Sequence, residues 1–193
     1  IVFTSDNGGS TAENNDTKYP NTNDDCPNGR LPGSNFPLRG KKGDLYEGGT
    51  RVPTIIRWPG TIAAGTANET PVHIVDWMPT FCALAESDAD AAKLKWDGAN
   101  LWPILSDTGS FPERSLYSAG VHFRSQALRD GDWKLILFKS NDGEEIRTEL
   151  YNIAEDPNEE NNLAESRTDK QAALRSKLLA AATNDRDAVA IIE

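Results

Sequence analysis

Three short β-prone runs, Ser125-Gln126-Ala127-Leu128-Arg129, Trp133-Lys134-Leu135-Ile136-Leu137-Phe138 and Thr148-Glu149-Leu150-Tyr151-Asn152, follow one another with tight-turn chemistry between them. Asp130-Gly131-Asp132 and Asn141-Asp142-Gly143 supply the left-handed positions that hairpin turns require. Runs this short, joined this closely, can only pair with their neighbours, so the sequence predicts a small antiparallel sheet. Asp156-Pro157 ends it, and a helix is expected from about Thr168, with Gln171 placed to complete a capping box. Leu174, Leu178, Ala181 and Ala182 give that helix an apolar stripe, which is expected to pack on the sheet.

The part before Ser106-Asp107-Thr108-Gly109-Ser110 reads differently. Ile1-Val2-Phe3-Thr4 is a short buried strand by pattern, already under way at the first residue. This opening predicts that the chain is a piece of a larger protein. About thirty residues rich in Asn, Asp, Pro, Gly and Thr follow, without hydrophobic period, and are expected to form a loop. Val52 to Trp58 resembles a second strand, opened by Pro53 and closed by Pro59-Gly60. Ile74 to Leu84 is expected to hold a helix capped by Asp76, with Pro79 in the first turn and Trp77, Thr80, Phe81 and Leu84 on a core face. Asp97 to Leu105 reads as a loop and a short helix at Trp102-Pro103. The fold class is therefore α/β over residues 1–110, followed over residues 111–193 by a small α+β subdomain with an antiparallel sheet and a carboxyl-terminal helix.

The formal charge of -10 argues against broad affinity for nucleic acid or anionic membranes. A local basic cluster can still serve an anionic substrate. No apolar run is long enough to span a bilayer. Cys82 sits in an apolar stretch and is expected to be buried, whereas Cys26 lies in a polar loop and can pair with a cysteine elsewhere. Asn15-Asp16-Thr17 and Asn68-Glu69-Thr70 are glycosylation sequons, which fits a secreted or lysosomal protein of the secretory pathway.

Two constellations carry chemistry. Asp6-Asn7, directly after a strand, offers a carboxylate and an amide carbonyl, hard oxygen donors suited to Ca2+ or Mg2+. Gly8-Gly9 lets the backbone turn and approach a ligand closely. The same residues also make an ordinary surface turn. The second constellation is Arg39-Gly40-Lys41-Lys42-Gly43, followed by Gly48-Gly49-Thr50-Arg51, a flexible backbone that presents cations to an oxyanion. By composition alone it is equally a solvated basic loop. Its spacing is not that of a nucleotide-binding P-loop, which places Lys-Ser/Thr directly after the second glycine.

Read together, Val2-Phe3-Thr4-Ser5-Asp6-Asn7-Gly8-Gly9, Pro37-Leu38-Arg39-Gly40-Lys41-Lys42-Gly43 and Tyr46-Glu47-Gly48-Gly49-Thr50-Arg51-Val52-Pro53 resemble the second half of the sulfatase family. The likeness continues through Trp58-Pro59-Gly60, His73-Ile74-Val75-Asp76-Trp77, Asp132-Trp133-Lys134, Glu149-Leu150-Tyr151-Asn152 and Asp156-Pro157 with Asn162-Leu163-Ala164. The Pro-Leu-Arg-Gly and His-Ile-x-Asp-Trp segments look most like the arylsulfatase B type.

The resemblance implies an alkaline-phosphatase-like sandwich, of which residues 1–110 would be the carboxyl-terminal part of the catalytic domain. It implies a sulfuric ester hydrolase with a formylglycine nucleophile and a bound Ca2+, with Mg2+ open. By residue matching, Asp6 and Asn7 correspond to metal ligands and Lys42 to a catalytic, sulfate-contacting lysine, with Lys41 as its neighbour. His73 falls in a family-like segment and is a candidate substrate contact, with a structural position the plain alternative. Neither Cys26 nor Cys82 begins a Cys-x-Pro-x-Arg segment, and Ser110-Phe111-Pro112-Glu113-Arg114, which has the serine form of the pattern, follows the Asp6-Asn7 segment instead of preceding it. The formylglycine and the remaining metal ligands are therefore expected in a missing amino-terminal part, and the piece alone is expected to be inactive. The partners implied are a sulfated small molecule or sulfated glycan and the remainder of the sulfatase chain, with neither nucleic acid nor membrane. Two rival classes stay open at this point: a phosphatase, phosphonate hydrolase or phosphodiesterase on the same scaffold, and a sulfatase-like binding protein without catalysis.

Overall fold

The computed structural model describes residues 1–10, 33–87, 94 and 96–184. Most of the loop expected after Gly9, the Asn15-Asp16-Thr17 sequon and Cys26 lie outside the described residues. The elements are β1 (Val2–Thr4), α1 (Glu47–Thr50), β2 (Thr54–Ile56), α2 (Trp77–Leu84), α3 (Trp102–Leu105), β3 (Ser115–Ala119), β4 (Ser125–Asp130), β5 (Trp133–Lys139), β6 (Glu145–Asn152) and α4 (Thr168–Asn184). The protein thus mixes helices with antiparallel sheet. It divides into two compact units that interleave along the chain, Ile1–Phe3 with Thr54–Arg114, and Thr4–Pro53 with Ser115–Glu193.

In the second unit the predicted sheet is present, with strand order β3-β4-β5-β6. Asp130 pairs with Trp133 across the first turn, where Gly131 takes φ 58. Gly143 takes φ 85 in the next turn. Strand β3 was not foreseen. Its sequence Ser-Leu-Tyr-Ser-Ala has no strong period of its own, and its register on β4 (Tyr117 opposite Leu128) organises it, a tertiary effect overriding local propensity.

Alternation along β5 gives the sheet two faces. Leu135 and Leu137 join Leu128, Leu150, Leu174 and Leu178 in one cluster, so α4 covers that face as its stripe predicted. Ile136 points the other way and packs with Leu45, Ala127, Tyr151 and Ile153. Lys134, two residues before Ile136, shares its face by period and meets the segment at Glu47. The glycine-rich loop region is thereby laid against the sheet.

In the first unit, Ile1 and Arg57 exchange both backbone hydrogen bonds, at 2.9 and 2.8 Å, so β1 and β2 run antiparallel. The expectation of a buried opening strand is corrected here: Ile1 is 83% and Phe3 65% exposed. Among the described residues β1 has β2 as its one strand neighbour, and the helix α2 meets Ile1 and Val2 only across an open hollow, so these side chains stay largely in water. Strand β2 is shorter than predicted, since Pro53 cannot donate to a ladder and Pro59-Gly60 turns the chain.

The predicted helix is present as a 3₁₀ turn, Ile74–Asp76, running into α2. Asp76 occupies the cap position, yet its carboxylate does not cap α2. It turns back to accept from the N–H groups of His73 (2.7 Å) and Ala99 (2.9 Å) and pairs with Arg114. The preceding 3₁₀ turn holds Asp76 in helical backbone (φ -75, ψ -19), which aims its side chain at that earlier turn. Thr80 is fully buried, donating to the Asp76 carbonyl at 2.6 Å and accepting from Leu101 N–H at 2.8 Å. Phe81, predicted to be core, stays half exposed beside a hollow of about 250 Å3 lined also by Trp58, Trp77, Leu84 and Trp102. Cys82 is half-buried and unpaired, less enclosed than its apolar neighbourhood predicted.

Candidate active site

Strand β1 ends and the chain bends through Ser5-Asp6-Asn7-Gly8-Gly9, a turn tied down by its own polar groups. Ser5 Oγ donates to the Asn7 carbonyl at 2.7 Å. Asn7 Nδ2 donates to the Gly8 carbonyl at 3.1 Å, which leaves Asn7 Oδ1 as an acceptor. The Asp6 carboxylate is exposed.

This turn sits backbone to backbone on α1. Gly8 N–H donates to the Gly49 carbonyl at 2.9 Å. A Cβ on Gly8 would lie 1.7 Å from the Gly48 carbonyl oxygen, so no other residue fits there. One on Gly49 would lie 2.1 Å from the Asp44 oxygen, for the same reason. The close approach explains why the sequence places glycine pairs at both positions.

The lysine loop joins the same turn. Lys42 N–H donates to the Gly9 carbonyl at 3.1 Å, bringing the candidate anion-binding lysine two residues from the candidate metal ligand Asn7. Asn35 clamps the junction: its Oδ1 accepts from Gly9 N–H at 2.7 Å, while Nδ2 donates to the carbonyls of Gly9 (2.9 Å) and Gly40 (3.1 Å). Lys41 N–H donates to Asp44 Oδ2 at 3.0 Å, closing the loop tip. The Lys42 side chain is exposed, and among the described residues none pairs with its ammonium. Asp6, Asn7 and Lys42 therefore belong to one backbone-bonded cluster. Asn35 was not singled out from sequence, because a lone Asn in a Pro/Gly-rich loop carries no signal of a two-sided amide bridge.

Behind the cluster lies the polar face of the sheet. Arg39 stacks over the Tyr46 ring at 4.0 Å and donates through Nη1 to Tyr151 Oη and the Glu159 carbonyl, each at 2.9 Å. The Tyr46 and Tyr151 hydroxyls both donate to Glu149 Oε2, at 2.7 and 2.8 Å. Burial, with this carboxylate beside it, pushes the Tyr46 hydroxyl up to about 12. Lys134 Nζ lies 2.9 Å from both Glu47 Oε1 and Glu159 Oε1, a buried Glu-Lys-Glu triad. Burial raises the Glu159 carboxyl above its ordinary range, with Lys134 opposing the shift. Charged residues this deeply enclosed were not read from sequence, since Lys134 sits in an otherwise apolar strand and resembles an edge gatekeeper.

His73 belongs to the other compact unit, where it caps the 3₁₀ turn. Its Nδ1 accepts from Val75 N–H at 3.4 Å and its own N–H donates to Asp76. Burial lowers its pKa, so the ring favours the neutral form, with its proton on Nε2.

Among the described residues no group of three or more His, Cys, Asp or Glu side chains gathers into a metal cluster. The Asp6 carboxylate and Asn7 Oδ1 fit a hard divalent cation in kind. They are short of the six to eight oxygens that Ca2+ takes, so they fit as part of a ligand set.

The sulfatase family model matches residues 1–87. The chain belongs to the sulfatase family. Homo sapiens arylsulfatase A is 31% identical over 184 residues, covering 84% of this sulfatase chain and 33% of that protein. A sulfatase of Formosa agariphila is 28% identical over 180 residues, covering 84% of this chain and 28% of that one. The crystal structure of Ps i-CgsB superposes with a TM-score of 0.73 at 28% identity, over 93% of this chain and 35% of that chain. This sulfatase chain thus spans a third or less of the curated relatives it matches.

Proposed function

We propose that this chain is the carboxyl-terminal part of a sulfatase with the alkaline-phosphatase-like fold, which hydrolyses sulfate esters using a formylglycine nucleophile carried outside residues 1–193. In this reading residues 1–110 complete the catalytic domain and residues 111–193 form the small subdomain. Asp6 and Asn7 supply oxygen ligands to Ca2+, with Mg2+ the alternative ion. When bound, that cation would orient the sulfate group and draw charge from its oxygens. The observation that carries the reading is the Lys42 N–H bond to Gly9, which holds the lysine against the Asp6–Asn7 turn.

From that position the Lys42 ammonium neutralises sulfate oxygens as negative charge builds on them during attack at sulfur. Its exposure leaves it free to reach a ligand, and the clamp at Asn35 fixes its backbone beforehand. His73 has Nε2 left over after capping and would offer that N–H to the substrate. The substrate class is a sulfated glycan or a smaller sulfate ester. Ps i-CgsB has been solved in complex with k-i-k-neocarrahexaose, and BT4656, 28% identical with a TM-score of 0.61, with its substrate D-glucosamine-2-N,6-O-disulfate. A secreted or lysosomal site of action fits the exposed Asn68 sequon.

Lys42→Ala in the full-length protein is expected to lower turnover of an aryl sulfate by about 10²–10³-fold, the usual cost of losing one such charge-stabilising contact. Lys41→Ala is expected to change it by no more than a few-fold. Near-normal turnover in Lys42→Ala would remove that lysine from the site, and the reverse pattern would move its role to Lys41.

A further inference from the structure

The turn after Asp156-Pro157 carries Glu159, to which the proposed chemistry assigns nothing. Two features mark this residue. It is fully buried although charged, and its backbone sits at φ 58, a left-handed conformation that non-glycine residues rarely adopt. Burial of a charge and backbone strain at one position persist only where the surroundings over-determine them, and such positions gather at functional sites.

The Glu159 N–H closes its own turn on the Asp156 carbonyl at 3.2 Å, and its three oxygens reach the lysine loop or its support. The main-chain carbonyl accepts from Arg39 Nη1 at 2.9 Å. Oε2 accepts from Glu47 N–H at 2.7 Å. Oε1 lies 2.9 Å from Lys134 Nζ, which also holds the Glu47 carboxylate at 2.9 Å. Arg39 and Glu47 bracket Lys42 in the chain, and the loop between them is closed by Gly48 N–H donating to the Arg39 carbonyl at 2.7 Å. Gly49, two residues past Glu47, accepts from Gly8 and so carries the Asp6–Asn7 turn.

We propose that Glu159 is a positioning residue: it anchors both feet of the Lys42 loop and, through α1, the Asp6–Asn7 turn, holding cation ligands and sulfate-binding lysine in register. This rests on the sulfatase reading above. It differs from a purely structural ion pair in what its loss does at the site. Residues that orient ligands from behind typically cost 10–100-fold in metal affinity or activity when removed.

The test uses Glu159→Gly in the full-length, formylglycine-bearing protein. Glycine adopts φ 58 without strain, keeps the main-chain carbonyl that Arg39 meets and leaves Lys134 its Glu47 partner, so the variant removes the side-chain anchor at Glu47 and spares the fold. Isothermal titration of Ca2+ into the EDTA-stripped protein is expected to show an affinity at least tenfold weaker than wild type. With saturating Ca2+, kcat on an aryl sulfate is expected to fall about 10–100-fold. Glu159→Gln, which keeps an acceptor for Glu47 N–H, is expected to recover most of both. Should the glycine variant fail to fold, Glu159→Asn takes its place, since Asn tolerates left-handed backbone and falls one methylene short of the contact.

Ca2+ affinity and kcat within twofold of wild type in the folded Gly or Asn variant would overturn the inference, whatever the melting temperature does. Asp6→Ala separates this from failure of the underlying reading. If Asp6→Ala abolishes Ca2+ uptake while Glu159→Gly leaves it intact, the inference alone falls. A wild-type protein that takes up no Ca2+ and turns over no sulfate ester sinks both.

Discussion

The two compact units place the same kinds of side chain in opposite directions. In the unit built on β3 to β6, Leu135, Leu137, Leu150, Leu174 and Leu178 are turned inward and have essentially no exposed surface. In the unit built on β1, β2 and α2, Ile1, Phe3, Ile55, Ile74 and Met78 remain exposed, and a polar hub at Asp76 and Thr80 ties the segments together. A sheet covered on both faces closes its own core; a two-stranded ribbon with one short helix cannot. Among the described residues the first unit therefore leaves apolar surface in water, whereas the second buries its own between the sheet and α4.

Three substitutions break or sharpen this contrast. The largest effect is expected at Leu178, where truncation opens a cavity between α4 and the sheet. Leu178→Ala should destabilise that unit by about 3 kcal/mol in urea unfolding, within the usual range for a buried leucine. A cost below about 1 kcal/mol would mean that the core yields as easily as the exposed unit. Next comes Thr80→Val, nearly the same shape, which leaves the Leu101 N–H without its acceptor. It should cost about 1–2 kcal/mol, the penalty for a buried donor left unsatisfied, and no loss would show that the polar hub does not hold the first unit together. The smallest is Ile55→Ser, expected to change the stability of this chain by no more than about 0.5 kcal/mol because the side chain is already in water. The same change in the full-length protein should cost roughly 1–3 kcal/mol if that face is covered there by the rest of the chain. Equal effects in both would refute the cover.

Much of the second unit was legible in sequence because its signals are local. Asp130-Gly131-Asp132 and Asn141-Asp142-Gly143 mark their turns, and Leu174 and Leu178 mark the face that α4 buries. Strand β3 and helix α1 were not legible, since Ser115–Ala119 forms by pairing and Glu47–Thr50 holds two glycines that disfavour helix. Asp76 was read correctly as a cap position and wrongly as to what it bonds, because sequence does not show the 3₁₀ turn that redirects its carboxylate. At the candidate site, Asp6, Asn7 and Lys42 were singled out by residue type and by likeness to a family, and the bond from Lys42 to Gly9 brings their segments together. Asn35, Lys134 and Glu159 were missed. Their signal lies in contacts between positions far apart in the chain, which no single-sequence period records.

The contact of Gly8 with Gly48 and Gly49 has one more consequence. Peptide groups, common to every residue type, hold the turn that bears Asp6 and Asn7, and the only requirement on the three glycines is that they stay bare. Side chains on the loops that take no part in these bonds, in the Asn35 clamp or in the Glu159 anchor can therefore vary without moving the Asp6 and Asn7 oxygens. In the proposed sulfatase, such an arrangement would let selection retune what is cleaved while the cleaving apparatus stays put.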